Sequence, residues 1–284
     1  MENAQPKKLE MLLLEGTPSG LRYLDLRNWV GRAFVCPRVS LPKLLGRSEL
    51  EKAGIYVLIG NSDDLDLPEV YIGEADCLRN RLPQHNEKDF WNEVIVFMSQ
   101  DETLDKAGVR YIESRLVQDL LQDKLSSLKN GNVPLNKNIS EADRAVLEEF
   151  IEKIKIILLV LGYKIFRFSD NTQNDHEELF LSTGGISAKG KETDEGFLVK
   201  KGSQATANPS DNMSDKYKQL RETLIKNGVL AQNGEQFVFT QDYLLTSPSY
   251  ASSLVLGYSS NGRFLWKTKN GTPLKEIQES KLQS

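Results

Sequence analysis

Gly54-Ile55-Tyr56-Val57-Leu58-Ile59-Gly60 and Glu69-Val70-Tyr71-Ile72-Gly73 are the two runs whose reading decides the fold. Both are short, rich in β-branched and aromatic residues, and flanked by glycine, which marks strands. Between them lies Asn61-Ser62-Asp63-Asp64-Leu65-Asp66-Leu67-Pro68, a cluster of turn formers. Two strands joined by such a spacer predict an antiparallel hairpin.

Working outward, Glu10 to Leu14 reads as a short strand and Leu24 to Phe34 as a segment of mixed type. A short helix is expected around Asp76–Leu82 and a third strand over Val94–Met98. Asp105 to Leu120 sets Ile112, Leu116 and Leu120 on one helical stripe. Ser140-Glu141-Ala142-Asp143 resembles a capping box, opening a helix that runs to about Leu161. Beyond it the chain turns polar at 169–178 and again at 204–214, both read as loops. A helix is expected over Asp215–Lys226, ended by Asn227-Gly228. Strands are expected at Gln236–Thr240 and Phe264–Lys267, with Leu274–Ile277 returning across the Asn270-Gly271 turn.

Composition excludes several classes. The 284 residues are 27% charged and 39% hydrophobic, as in globular proteins. Two isolated cysteines, Cys36 and Cys77, exclude a disulfide framework and a cysteine-based zinc site; Cys77, at a helix start, is expected in the core. The longest apolar run, Ile156 to Leu161, is too short to cross a bilayer, and Met1–Lys8 lacks the apolar core of a signal peptide. The expectation is a soluble, cytoplasmic protein with no membrane partner. Net charge is −4 but unevenly placed. Residues 54–139 hold 9 Lys+Arg against 15 Asp+Glu, a net of −6, while 1–53 and 213–284 each hold 9 against 6, a net of +3. Grip on a polyanion is therefore expected from the flanks, with an acidic middle suited to a metal.

Gly54-Ile55-Tyr56 and Tyr71-Ile72-Gly73 resemble the two signature tripeptides of GIY-YIG nucleases. That family includes homing endonucleases, some restriction enzymes and the bacterial excision-repair subunit that makes the 3′ incision. In the family an arginine follows the second tyrosine by ten residues and a histidine or tyrosine follows four later; here these positions are Arg81 and His85. A glutamate on a later helix completes the set, and Tyr111-Ile112-Glu113-Ser114-Arg115 supplies Glu113. The family's late asparagine is assigned to Asn132, with Asn136 behind it. The resemblance covers about residues 54–139.

It implies an α+β fold, a small antiparallel three-stranded sheet flanked by helices. The expected divisions are 1–53, an N-terminal extension packing on the nuclease domain; 54–139, the nuclease domain; 140–168, a helix linking or packing on it; 169–214, a linker and the start of a second domain; and 215–284, a smaller mixed α+β domain. The stretch from about Gly196 to Ile277 also resembles an uncharacterised domain often fused behind GIY-YIG domains in bacteria. The implied activity is metal-dependent endonucleolytic hydrolysis of phosphodiester bonds, with DNA favoured by family analogy alone. The alternative is a catalytically silent nucleic-acid-binding or assembly protein that keeps the fold.

The chemistry can be argued independently of the family. Phosphodiester hydrolysis needs a positioned water, stabilised charge at phosphorus and a proton for the leaving oxygen. One carboxylate tethers a single Mg²⁺ or Mn²⁺, a role that suits Glu113. Arg81 suits bidentate contact with phosphate oxygens. The family implies that Tyr56 orients or deprotonates the water, assisted by Tyr71 and His85. A tyrosine pKa near 10 would then have to fall.

Three features depart from the pattern. The spacer between the tripeptides is long, Glu74 stands where the repair nuclease has a basic residue, and Pro83 lies between Arg81 and His85. Pro83 is expected to make Leu82 extended and take Arg81 and His85 off a common face, leaving Arg79 as the fallback arginine and a nucleic-acid contact. His176 reads as solvated. In the tail, Arg263, Trp266, Lys267 and Lys269 alternate basic and aromatic character; they form a candidate nucleic-acid-binding strand or the packed face of a hairpin. One active site cuts one strand, so a double-strand break requires a homodimer, a second visit or a partner protein.

Overall fold

The computed structural model describes residues 6–60, 67–101, 103–131, 139–166, 177–194, 196–211 and 213–282. The chain is a mixed α+β protein that divides into two compact units, Met1–Thr172 and Gln173–Ser284.

The first unit runs β1 (Leu9–Leu13), β2 (Arg22–Leu26), β3 (Gly31–Pro37), α1 (Leu41–Leu45), β4 (Gly54–Gly60), β5 (Glu69–Ala75), α2 (Leu78–Arg81), β6 (Glu93–Ser99), α3 (Lys106–Asp123), β7 (Ser127–Leu128) and α4 (Glu141–Val160). Its sheet has seven strands in the order β1-β2-β3-β6-β4-β5-β7, larger than the three expected. The extra strands arise because β3 pairs antiparallel along the whole of β6, from Gly31 against Ser99 to Pro37 against Glu93. The mixed segment Leu24–Phe34 resolves into the end of β2 and the start of β3, joined by a turn at Asn28, whose φ is 63°. Asparagine tolerates that left-handed conformation better than most residues.

All seven residues of β4 are buried, so this strand is covered on both faces and reads as an unbroken apolar run. The period of two sends Ile55, Val57 and Ile59 of β4, with Val70 and Ile72 of β5, into a core with α3 and α4. The opposite face of β4, carrying Tyr56 and Leu58, packs with Leu41, Leu44, Leu78, Leu82 and Trp91. Ser140 caps α4 by accepting from the Asp143 backbone N–H at 3.1 Å, as its capping signature predicts.

The second unit contains β8 (Leu179–Thr183), β9 (Ile186–Thr193), β10 (Gly196–Val199), β11 (Gln204–Thr206), α5 (Asp215–Lys226), β12 (Leu230–Asn233), β13 (Gln236–Phe239), β14 (Tyr243–Leu245), α6 (Pro248–Leu256), α7 (Gly262–Leu265) and α8 (Leu274–Lys281). They form a four-stranded sheet, β14-β10-β9-β8, and a three-stranded one, β11-β13-β12. Two expectations are corrected here. The 204–214 loop contributes strand β11, and the expected hairpin of 264–267 with 274–277 is instead α7 and α8. Asn261 caps α7 through its side chain, and Pro273 precedes the first turn of α8; local start signals outweigh the alternating pattern.

Candidate functional site

Antiparallel register sets Tyr56 opposite Gly73 and Leu58 opposite Tyr71. Residues 56, 58, 71 and 73 share one face, so the two tyrosines are diagonal neighbours, their rings 6.2 Å apart. The signature glycine has a steric reason: a Cβ on Gly73 would stand 2.2 Å from the Tyr56 hydroxyl. Only glycine lets the Tyr56 ring cross β5 there. Gly54 is similarly enclosed, since its Cβ would meet the Phe97 carbonyl at 2.5 Å.

Pro83 does not separate Arg81 from His85. Leu82 is helical, with φ −58° and ψ −40°, and Pro83 occupies the first turn of a 3-10 helix over Leu82–His85. Proline is tolerated at that point because the first turn needs no N–H donor. The tight turn brings His85 Nε2 to 2.7 Å from the Tyr56 hydroxyl, while Arg81 Nε donates to the same oxygen at 3.2 Å. Tyr71 lies beside them, its ring 6.2 Å from that of Tyr56 and 5.0 Å from that of His85. Arg79 points elsewhere, to Glu51 Oε1 at 2.6 Å and the Arg47 carbonyl at 2.7 Å, which removes it as the fallback.

Ionisation follows from this enclosure. Burial, with Tyr71 next in effect, pushes the Tyr56 phenol above its ordinary range. Burial, then the positive charges of Lys88 and Arg81, pulls His85 down to about 4, so the imidazole is neutral at pH 7. Nε2 of the neutral ring pairs with the Tyr56 hydroxyl, and Nδ1 is buried without a hydrogen-bond partner among the described residues.

Glu113 reaches this region from α3. Burial and then the neighbouring Glu74 raise its carboxyl to about 7, while Arg81 and a hydrogen bond from the Glu74 backbone oppose the shift. Glu74 is paired in turn with Arg110 at 3.4 Å.

Three further residues were not legible as site residues. Lys88 holds its ammonium 3.9 Å from the Tyr71 ring centroid, and burial with Arg81 lowers its pKa. Its surroundings, Asn86-Glu87-Lys88-Asp89, look like any polar loop. Arg38 fixes that loop by donating to the carbonyls of Asn86, Lys88 and Trp91 at 2.6, 2.7 and 3.2 Å. Asn130 acts as a strand residue through its side chain, accepting from Ile72 N–H at 3.0 Å and donating to Ile72 C=O at 2.7 Å. It continues the short parallel pairing of β7 with β5 and holds the segment between Tyr71 and Gly73 in place. Asn132, Asn136 and His176 lie outside the described residues.

The tail candidates do not form the expected strand. Trp266 is fully buried, its ring 4.6 Å from that of Phe197 and its N–H donating to the Pro248 carbonyl at 3.0 Å. It offers no free face to a base. Arg263 is exposed and bound to Gln278, and Lys267 and Lys269 are exposed. Cys77 is half-buried rather than in the core, whereas Cys36 is buried.

Among the described residues no group of three or more His, Cys, Asp or Glu gathers to hold a metal, and no helix is long and apolar enough to cross a membrane. A family described as Domain of unknown function (DUF4357) matches residues 179–278, inside the second unit. No curated protein and no solved structure matches the chain.

Proposed function

We propose that the first unit is a phosphodiester endonuclease of the GIY-YIG type, acting on nucleic acid, with DNA as the favoured substrate. The observation that carries this reading is the meeting of Arg81 and His85 on the Tyr56 hydroxyl beside Tyr71, with a buried, charge-strained Glu113 of α3 near enough to feel the charge of Arg81. A packing tyrosine needs neither a neutral histidine nor an arginine on its oxygen. Perturbed groups of complementary kind in one place are the physical signature of a site. On this reading the neighbouring strands β6-β4-β5 of the seven-stranded sheet, with α3, would serve as the nuclease core.

The residues fit one hard divalent cation, Mg²⁺ or Mn²⁺. Glu113 would hold it, because a cation there relieves the burial and Glu74 repulsion that keep its proton on near pH 7. The bound ion would supply charge neutralisation at the phosphate and acidify a water. The chain's own groups do the positioning. Arg81 faces a scissile phosphate from the Tyr56 side, and Lys88 adds a second positive charge across the Tyr71 ring. Tyr56 keeps its proton at neutral pH, and it and Tyr71 orient the attacking water by hydrogen bonds. Neutral His85, paired with the Tyr56 hydroxyl, fixes the orientation of that oxygen.

The test is nicking of supercoiled plasmid with Mg²⁺ or Mn²⁺ by the wild type, Glu113→Ala and Tyr56→Phe, extended to single-stranded, branched and RNA substrates. Metal-dependent nicking that both substitutions abolish is expected. Equal inertness of all three proteins on every substrate removes the catalytic reading and leaves the binding or assembly protein.

A further inference from the structure

The four-stranded sheet of the second unit has one packed face, and its other face carries exposed and half-buried side chains among the described residues. Leu179, Leu181, Ala188, Phe197 and Val199 are buried on the packed side. On the other side Phe180 is half-buried, and it is paired with a lysine on each flank. Lys189 of β9 stands opposite it in the antiparallel register, and Lys267 forms a β-bridge with it, the two backbones exchanging bonds of 2.6 and 2.9 Å. Directly paired residues share a face, so Lys267, Phe180 and Lys189 form a row across the sheet, spanning about 10 Å from lysine to lysine at strand spacing. Both lysines are exposed, and neither has an acidic partner within 4 Å among the described residues. The Lys189 ammonium lies 5.6 Å from the Phe180 ring. Leu198 and Leu244, half-buried and paired with each other in the same pleat phase, extend an apolar strip beside the row.

We propose that this face binds single-stranded nucleic acid, with a base stacked on Phe180 and the adjoining phosphates held by Lys189 and Lys267. An aromatic ring on an open sheet face, flanked by cations, supplies the two things an unpaired strand offers, a π-face and a backbone charge. A duplex hides its base faces in the stack, so the ring of Phe180 gains nothing from it. An acidic peptide would satisfy the lysines but not the ring. Of the tail residues that the sequence offered for nucleic-acid contact, Lys267 belongs to this row, and Phe180 takes the part that buried Trp266 cannot play.

The experiment is fluorescence anisotropy of the full chain with a labelled oligothymidylate and a duplex of equal length, in EDTA so that cleavage does not enter. Single strand is expected to bind more tightly than duplex. Phe180→Leu is expected to weaken single-strand binding about tenfold and to leave duplex binding unchanged, while Phe180→Tyr retains the wild-type affinity. The double substitution Lys189→Gln/Lys267→Gln is expected to reduce the slope of log affinity against log salt by about 1.4, two phosphates at about 0.7 each. Wild-type single-strand affinity in Phe180→Leu, or an unchanged salt slope in the lysine pair, overturns the proposal. If polyglutamate displaces the oligonucleotide and Phe180→Leu has no effect, the face is one for an acidic protein. Should Phe180→Leu lower the melting temperature, the exposed lysine pair carries the test alone. Because binding is read without metal, this outcome is independent of whether the first unit cuts.

Discussion

Arg221 in the second unit is 4% exposed, and its guanidinium donates to the backbone carbonyls of Leu254 and Thr206. Arg81 in the first unit is half-buried, with Nε on the Tyr56 hydroxyl and a terminal nitrogen on Gln84 at 2.5 Å. Neither has an acidic partner within 4 Å among the described residues, yet the two cations are used differently. Arg221 ties α5 to α6 and β11 through groups that cannot move without unfolding. Arg81 contacts side chains at the mouth of a buried cluster and keeps its charge toward solvent. The same contrast holds for the neighbours. Ser252 and Ser253 are buried and hydrogen-bonded to Ser249 or Ser260, whereas His85 Nδ1 has no partner among the described residues. A buried polar group consumed by the backbone reads as architecture; one left charged or unsatisfied beside titratable partners reads as chemistry.

The comparison can be broken most sharply at Arg81. Arg81→Ala is expected to lower the nicking rate by roughly 10²–10³, the cost of losing one preorganised donor at a developing charge. Its melting temperature should stay near that of the wild type. A large loss of stability without a rate effect on the folded fraction would make Arg81 another Arg221. The reciprocal change, Arg221→Ala, is expected to cost roughly 2–4 kcal/mol in chemical denaturation, because it strands the Leu254 and Thr206 carbonyls and opens a void. Lys88→Ala is expected to slow nicking by about tenfold, one to two kcal/mol being typical for a partly desolvated cation beside a ring and a bound anion. The loss should diminish as salt rises, since salt already screens the charge; a salt-independent loss would assign Lys88 to packing on Tyr71.

The smallest effect is one of pH. The folded-state pKa of Glu113 is raised to about 7 from an ordinary 4.5. Its protonated form is therefore favoured by folding, and that contribution is complete below about pH 4.5 and lost as pH rises through about 7. Metal-free wild type should lose melting temperature over that window relative to Glu113→Gln, and Mg²⁺ should restore it to the wild type alone. Parallel profiles for the two proteins would mean that Glu113 is relaxed by solvent and strained by nothing.

Much of the frame was legible from local pattern. The β-branched and aromatic runs at 54–60 and 69–73, with turn formers between them, placed the hairpin, the 3.6 period placed α3, and Ser140 and Asn227-Gly228 marked helix ends, because these signals depend on residues a few positions apart. The reading failed where a distant partner decided. Residues 9–37 became three strands of the same sheet because β3 found the open edge of β6, sixty residues further along the chain. Trp266, open in the sequence between stacking a base and packing in the core, was decided for packing by Phe197, whose ring covers it.

The sequence by itself determined which residue types could act, Tyr56, Tyr71, Arg81, His85 and Glu113, through their order and spacing. Only the tertiary structure decided that Arg81 and His85 meet on one hydroxyl across Pro83, that Arg79 faces away to Glu51, and that Lys88, Arg38 and Asn130 belong to the same neighbourhood. Spacing fixes a residue's face on its own element. The charge it feels and the hydrogen it accepts are set by elements packed against it from elsewhere in the chain.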